Sequence, residues 1–151
     1  MQQFFHLLYH QFAWTYDLVA WAVSLDQWQT WVNTVIPYIQ APLVLELGHG
    51  PGHLQVALHQ QGIQSIGLDL SKQMGRLAYR RLDKIHFRPN LVNARSQQLP
   101  FAKDNIPQIV VTFPSEYIVD PETLSEIYRV LAPGGSAVTL FYAWHAGRNV
   151  V

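Results

Sequence analysis

Val44-Leu45-Glu46-Leu47-Gly48-His49-Gly50-Pro51-Gly52-His53-Leu54 is a short apolar run, interrupted by one acid, that empties into three glycines at alternate positions before a helical pattern begins. A buried strand leading through a glycine turn into a helix is the first half of a βαβ unit, because glycine lets the backbone approach a ligand closely. The stretch therefore predicts an α/β fold with a ligand lying on the loop.

The spacing separates ligand classes. A dinucleotide fingerprint, G-x-G-x-x-G, needs a last glycine where the helix packs on the strand and a helix N-terminus free for pyrophosphate. Here that position is His53, and the pattern is instead E-x-G-x-G-x-G with Glu46 two residues before the first glycine. A carboxylate there repels a phosphate but suits an ammonium group. After a helix from His53 to Gln61, closed by Gly62, a second strand runs from Ser65 and ends on Asp69. Its distance from Gly48 is close to the roughly twenty residues that bring a second-strand carboxylate beside a ribose. An ionised carboxylate accepts bonds from two vicinal hydroxyls, and Ser71 is available to cap the next helix in its place.

Composition bounds the alternatives. The 151 residues are 49% hydrophobic and 13% charged, which predicts one core-forming domain. Ten basic and ten acidic side chains balance, so no overall field draws nucleic acid or an anionic membrane, and no nucleic-acid partner is expected. The absence of cysteine excludes disulfides, thiolate nucleophiles and cysteine zinc sites, and fits a reducing, cytoplasmic setting; no metal site is expected.

Residues 1–40 form an aromatic-rich helical segment carrying Phe4, Phe5, Tyr9, Phe12, Trp14, Tyr16 and Trp21. It lacks a basic n-region and a small-residue cleavage site, and Asp17 with two histidines interrupts any bilayer-spanning run. Because no Lys or Arg precedes Lys72, packing on the domain or a lid is expected ahead of membrane association. Helical spacing continues from Leu25 to Ile39, with Asp26 placed to cap it, and Pro37 and Pro42 bracket the passage into the first strand.

Further on, Lys72 to Leu82 predicts a helix whose Arg76, Arg80 and Arg81 form a solvated face. His86 to Val92 is a strand interrupted by Arg88-Pro89-Asn90, and Ile109 to Phe113 a buried strand rich in β-branched residues. Asp120-Pro121-Glu122 is a helix start, with an N-cap acid and proline at the first helical position. Arg129-Val130-Leu131-Ala132-Pro133-Gly134-Gly135 turns the chain into a fifth strand, Ser136 to Phe141.

In their joint order these motifs resemble the class I S-adenosylmethionine-dependent methyltransferases, in particular the ubiquinone/menaquinone-type group. Glu46 to Leu54 is similar to motif I, Arg95-Ser96-Gln97-Gln98-Leu99-Pro100-Phe101 to D-A-x-x-L-P-F, and Arg129 to Gly135 to R-x-L-x-P-G-G. The resemblance runs from about Trp31 to Phe141. It implies a Rossmann-like three-layer sandwich with a mostly parallel sheet: one domain over residues 1–151, with its core at 41–141. It also implies S-adenosylmethionine as cofactor, held by Glu46, Gly48, Gly50, Gly52, Asp69, Leu70, Arg95, Ser96 and Phe113. Two positions depart from the family pattern. Arg95 replaces the acid that addresses adenine, and a guanidinium has only donors, leaving the Ser96 amide for a ring nitrogen. The F-D-x-V lead into the fourth strand stands as Ile106-Pro107-Gln108-Ile109, without its acid.

The family fold generally has seven strands, whereas ten residues follow Phe141. Either the fold is reduced or the sequence is truncated; a sheet shortened at the C-terminus is expected, whose unprotected edge strand invites pairing with a second copy as a homodimer or poor solubility. The activity implied is methyl transfer to a small, apolar or aromatic acceptor by in-line displacement, which needs positioning more than covalent catalysis. No catalytic residue is assigned. Candidate bases near strand ends are His49, His53, Glu116, Tyr117 and His145, with Tyr16 and Asp17 if the N-terminal segment is a lid. The alternative is a non-catalytic binding or regulatory module on the same fold, motivated by Arg95 and the short C-terminus. A nicotinamide oxidoreductase is disfavoured by the glycine spacing.

Overall fold

The computed structural model describes residues 28–143. The expectations for the aromatic segment before Trp28, the Asp26 cap, Tyr16, Asp17 and His145 lie outside the described residues. Five strands form one sheet: β1 (Leu43–Leu47), β2 (Gln64–Asp69), β3 (Asn90–Asn93), β4 (Ile106–Thr112) and β5 (Leu131–Leu140). Their spatial order is β3-β2-β1-β4-β5, and every pairing is parallel. The helices are α1 (Trp28–Asn33), α2 (His53–Gln60), α3 (Lys72–Asp83) and α4 (Pro121–Val130).

Parallel strands need both faces covered, and two cores do so. On one face Val44 and Val110 pack with Val32 of α1, with Val35 just after it, and with Leu54, Ala57 and Leu58 of α2. On the other, Leu45, Leu47, Leu68, Ile109 and Val111 meet Ile127 and Val130 of α4. The chain winds one way from β1 to β3 and restarts beside β1 at β4. β1 and β4 thus flank a topological switch point, where open α/β sheets hold ligands beyond their strand ends.

The boundaries follow local chemistry. Ser71 caps α3, its hydroxyl accepting the Met74 N–H at 3.3 Å, and Asp120 caps α4 by accepting the Glu122 N–H at 2.9 Å. Gly62 takes φ +72° after α2. The expected helix from Leu25 to Ile39 is instead α1 followed by a 3-10 turn at Ile36–Tyr38 that carries Pro37. The expected strand at His86 to Val92 is confined to Asn90–Asn93, because His86 adopts φ +57° and Pro89 lacks a donor. β4 begins at Ile106, ahead of the expected Ile109, and tolerates Pro107 because the pairing with β5 shifts register between Ile106 and Gln108.

Two polar clusters fix the connections. Gln108, buried on β4, donates from Nε2 to the Tyr38 carbonyl at 2.9 Å and to Ser136 Oγ at 3.1 Å. Its Oε1 accepts the Gln40 and Ala41 N–H groups at 3.0 and 3.2 Å, stitching the entry to β1 against β4. On α4, Arg129 pairs bidentately with Glu126 while donating to the carbonyls of Phe101 and Leu99, each at 2.9 Å. Glu126 also accepts the Leu99 N–H at 2.7 Å, and the guanidinium bond holds its carboxyl below the usual range. The two C-terminal motifs therefore grip one another.

Gly52 has φ +83°, and a Cβ there would lie 2.8 Å from Ala78 Cβ of α3. Gly62 has a similar φ and nothing within 4 Å of its Cβ position. Gly62→Ala is expected to cost about 1–2 kcal/mol of left-handed strain, and Gly52→Ala about 1–3 kcal/mol more from overpacking. Urea unfolding measures both; equal losses would show that the α2–α3 contact yields freely.

Candidate active site

The first strand tip is built around Glu46. Leu45 and Leu47 lie in the α4-side core with Leu68, so Glu46 and its register partner Gly67 face the α2 side, as does Asp69 two residues on. The two acids of the sequence argument share one face of the sheet. Glu46 is 1% exposed. Its Oε2 accepts from Gln55 Nε2 at 2.7 Å, and Gln55 Oε1 in turn accepts the Ser65 hydroxyl at 2.9 Å. Burial, opposed by the Gln55 bond and reinforced by the charge of Asp69, pushes the Glu46 carboxyl up to about 8.

Asp69, half-buried at the end of β2, clamps the loop. Oδ2 accepts the Gly50 N–H at 2.9 Å and Oδ1 the Ser71 N–H at 2.7 Å, and each oxygen keeps a further lone pair. The loop is also held by the Leu68 carbonyl, which accepts from the amides of Gly48 (2.7 Å) and His49 (3.2 Å). At Gly50 a Cβ would meet nothing within 4 Å, so the backbone is open to an approaching ligand there.

His49 is buried and sits on Gly67, whose Cβ position lies 3.1 Å from the imidazole Cδ2. Its Nδ1 lies 2.6 Å from the Gly50 carbonyl, which makes Nδ1 the protonated nitrogen. Burial pulls its pKa below the usual histidine range, against the opposing charge of Asp69. The imidazole thus packs on Gly67 of β2, while the Cβ position of Gly50 stays clear.

The rim comes from the remaining strand ends. Tyr117, in the 3-10 turn Glu116–Val119, donates from its hydroxyl to the Leu47 carbonyl at 3.2 Å. That hydroxyl lies 2.6 Å from where a Gly48 Cβ would be, so the first glycine is required by contact as well as by its φ of +75°. Phe113, just past β4, takes φ +47°, a strained value for a bulky residue and one typical of ligand rims. Leu70, 65% exposed, offers an apolar surface beside Asp69.

The β3–β4 connection carries the rest. Arg95 is exposed, whereas Ser96 is buried with its hydroxyl 3.1 Å from Thr123 Oγ1. The Ser96 amide bonds to no described residue. Arg95, Gln97, Gln98, Asp120 and Glu122 line an open cleft of about 310 Å³. Among the other candidate bases, His53 opens α2 and Glu116 is exposed. Sequence reasoning missed Gln55 and Ser65; the signal was an amide standing among Leu54, Val56, Ala57 and Leu58 of α2.

A doubly wound parallel sheet with an acid at the tip of β2 and a bare glycine loop after β1 defines a Rossmann-like α/β domain. Solved structures share that fold. A SAM-dependent methyltransferase of Thermotoga maritima matches with TM-score 0.70 at 21% identity, covering 89% of this chain and 59% of that one. The geranyl diphosphate C-methyltransferase of Streptomyces coelicolor A3(2), solved with Mg2+, geranyl diphosphate and S-adenosyl-L-homocysteine, matches with TM-score 0.66 at 20% identity, covering 73% and 44%. The family model of the methyltransferase domain matches residues 44–135, and the chain belongs to that family, the class I S-adenosylmethionine-dependent methyltransferases. A demethylmenaquinone methyltransferase of Clavibacter sepedonicus is 30% identical over 122 residues, covering 78% of this chain and 48% of its own. The chain spans about half the length of the curated relatives it matches.

A group whose folded-state pKa exceeds its unfolded value gives stability that is full below the unfolded pKa and lost as pH rises through the folded one. For Glu46 that window runs from 4.5 to about 8. Relative to Glu46→Gln, the parent protein is expected to lose about 4 kcal/mol between pH 4.5 and 8.5. Paired urea titrations across that range measure the difference; a difference that does not change with pH would mean the carboxyl ionises freely.

Proposed function

We propose that this domain binds S-adenosylmethionine and transfers its methyl group to a small-molecule acceptor by direct in-line displacement. The observation that carries the reading is the shared face of Glu46 and Asp69 with open backbone at Gly50 between them. Asp69 keeps lone pairs for ribose hydroxyls, Leu70 an apolar surface for the purine, and the Ser96 amide an unused donor for a ring nitrogen. Glu46 is the acid available to an ammonium, and the Gly48–Gly50 backbone is bare enough for an aminoacyl tail. The cofactor supplies a methyl group on a sulfonium centre, so the chain's part is to hold and orient the reactants and to exclude water.

For the acceptor, the demethylmenaquinone methyltransferase among the relatives supports an apolar, aromatic compound of the quinol class, reached from the rim of Phe113 and Tyr117. The outer edge of β5, with no described strand beyond it, supports pairing with a second copy. A second reading is favoured by Arg95, which puts a cation where the resemblance implies an acid: a domain that keeps the cofactor but serves as a binding or regulatory module.

Titration calorimetry with S-adenosylmethionine, S-adenosylhomocysteine and NAD is expected to show binding of the first two alone. Tight binding of NAD alone would overturn the reading. Asp69→Ala is expected to weaken S-adenosylmethionine by about 10–100-fold, the equivalent of roughly 1.5–3 kcal/mol for charge-assisted bonds; unchanged affinity would remove Asp69 from the site. Mass spectrometry of demethylated quinols incubated with cofactor and protein is expected to show a gain of one methyl; cofactor binding without any methylated product would favour the regulatory module.

A further inference from the structure

Among the described residues no cation acts on Glu46. Its register partner on β4, Val110, is apolar, and α2 gives it the neutral amide of Gln55. Through Gln55 it is linked to Ser65 of β2, and the charge of the acid Asp69 acts on it; His49 of the loop is held below the usual histidine range by burial. In either orientation of its amide Gln55 offers Glu46 only a neutral partner, because the Ser65 hydroxyl can donate or accept. Oε2 of Glu46 is taken and Oε1 bonds to no described residue. Among the described residues the one fully buried side-chain polar atom without a partner is Asn33 Oδ1, so Oε1 of Glu46 is an atom that still meets solvent. A buried carboxyl with a single neutral donor and a neighbouring acid keeps its proton.

We propose that Glu46 is protonated in the empty protein and gives that proton to solvent when an ammonium-bearing nucleoside binds, so that it selects for the aminoacyl tail by proton exchange. The inference rests on the methyltransferase reading above. In the exchange the carboxyl O–H breaks, the proton passes to buffer, and the carboxylate accepts an N–H from an ammonium that keeps its own charge. Affinity for such a ligand then rises up to tenfold per pH unit as Glu46 approaches its own titration near pH 8. Above that the gain ends, because an α-amino group itself loses its proton at about 7.7–8.0.

The test is calorimetry of the full chain at pH 6.5 in two buffers of different ionisation enthalpy. S-adenosylmethionine is expected to release about one proton per molecule bound, and 5′-methylthioadenosine, which lacks the amino group, close to none. Glu46→Gln is expected to abolish the release, and His49→Asn to keep it. Binding of S-adenosylmethionine without proton release, or equal release with both ligands, overturns the proposal using the parent protein alone. Release that survives in Glu46→Gln assigns the proton elsewhere and overturns it too. Absence of binding by either ligand would instead overturn the methyltransferase reading, and this proposal with it.

Discussion

A single carboxylate held between two backbone amides sets the geometry on which the site depends. Asp69 accepts the Gly50 N–H and the Ser71 N–H, and so joins the tip of β2 to the glycine loop leaving β1 and to the start of α3. The glycine loop is thereby brought to the point where β2 passes into α3, at the carboxyl end of the sheet. The bonds are charge-assisted and the oxygens are not exhausted, so the same group orders the loop and still has capacity for hydroxyl donors. Each glycine then answers to a different neighbour. Gly48 makes room for the Tyr117 hydroxyl, Gly52 for Ala78 of α3, and Gly50 leaves its space empty.

Around that point the fold commits polar groups in unequal ways. Gln108 and the Glu126–Arg129 pair are satisfied within the protein, and both tie connections to rigid elements. Glu46 is different, since it is buried and no described residue supplies a countercharge. Its neighbour His49 is likewise enclosed and held in one tautomer by the Gly50 carbonyl. Backbone strain falls in the same region, at Phe113 beside the switch point between β1 and β4. Enclosed titratable groups and a strained residue thus gather at the strand ends, where open α/β sheets hold ligands.

Much of this was legible before any coordinates. The apolar run into three glycines, the acid closing the second strand and the Asp-Pro start of α4 each rest on local rules of backbone conformation and capping, and each element stands where those rules put it. Less legible were the limits of β3 and β4. The Arg88-Pro89-Asn90 interruption left open where pairing begins, and the β-branched run from Ile109 did not disclose that the register shift beside Pro107 lets the strand start at Ile106. The polar partners were less legible still. Gln55 reads as one amide on an apolar helix, and only the apposition of α2 with β1 and β2 makes it the link between Ser65 and Glu46.

The sequence by itself determined the order of elements, the βαβ start, the two strand-end acids and the departures at Arg95 and Pro107, because period, turn chemistry and residue type are properties of short stretches. Tertiary structure alone decided that Glu46 and Asp69 share a face, that Glu46 is buried with no cation from the described residues, and that Tyr117 and Ala78 press on the first and third glycines. Those outcomes depend on sheet register and on which helix covers which strand, and burial, which sets the charge of a carboxyl, exists only once the layers have closed over it.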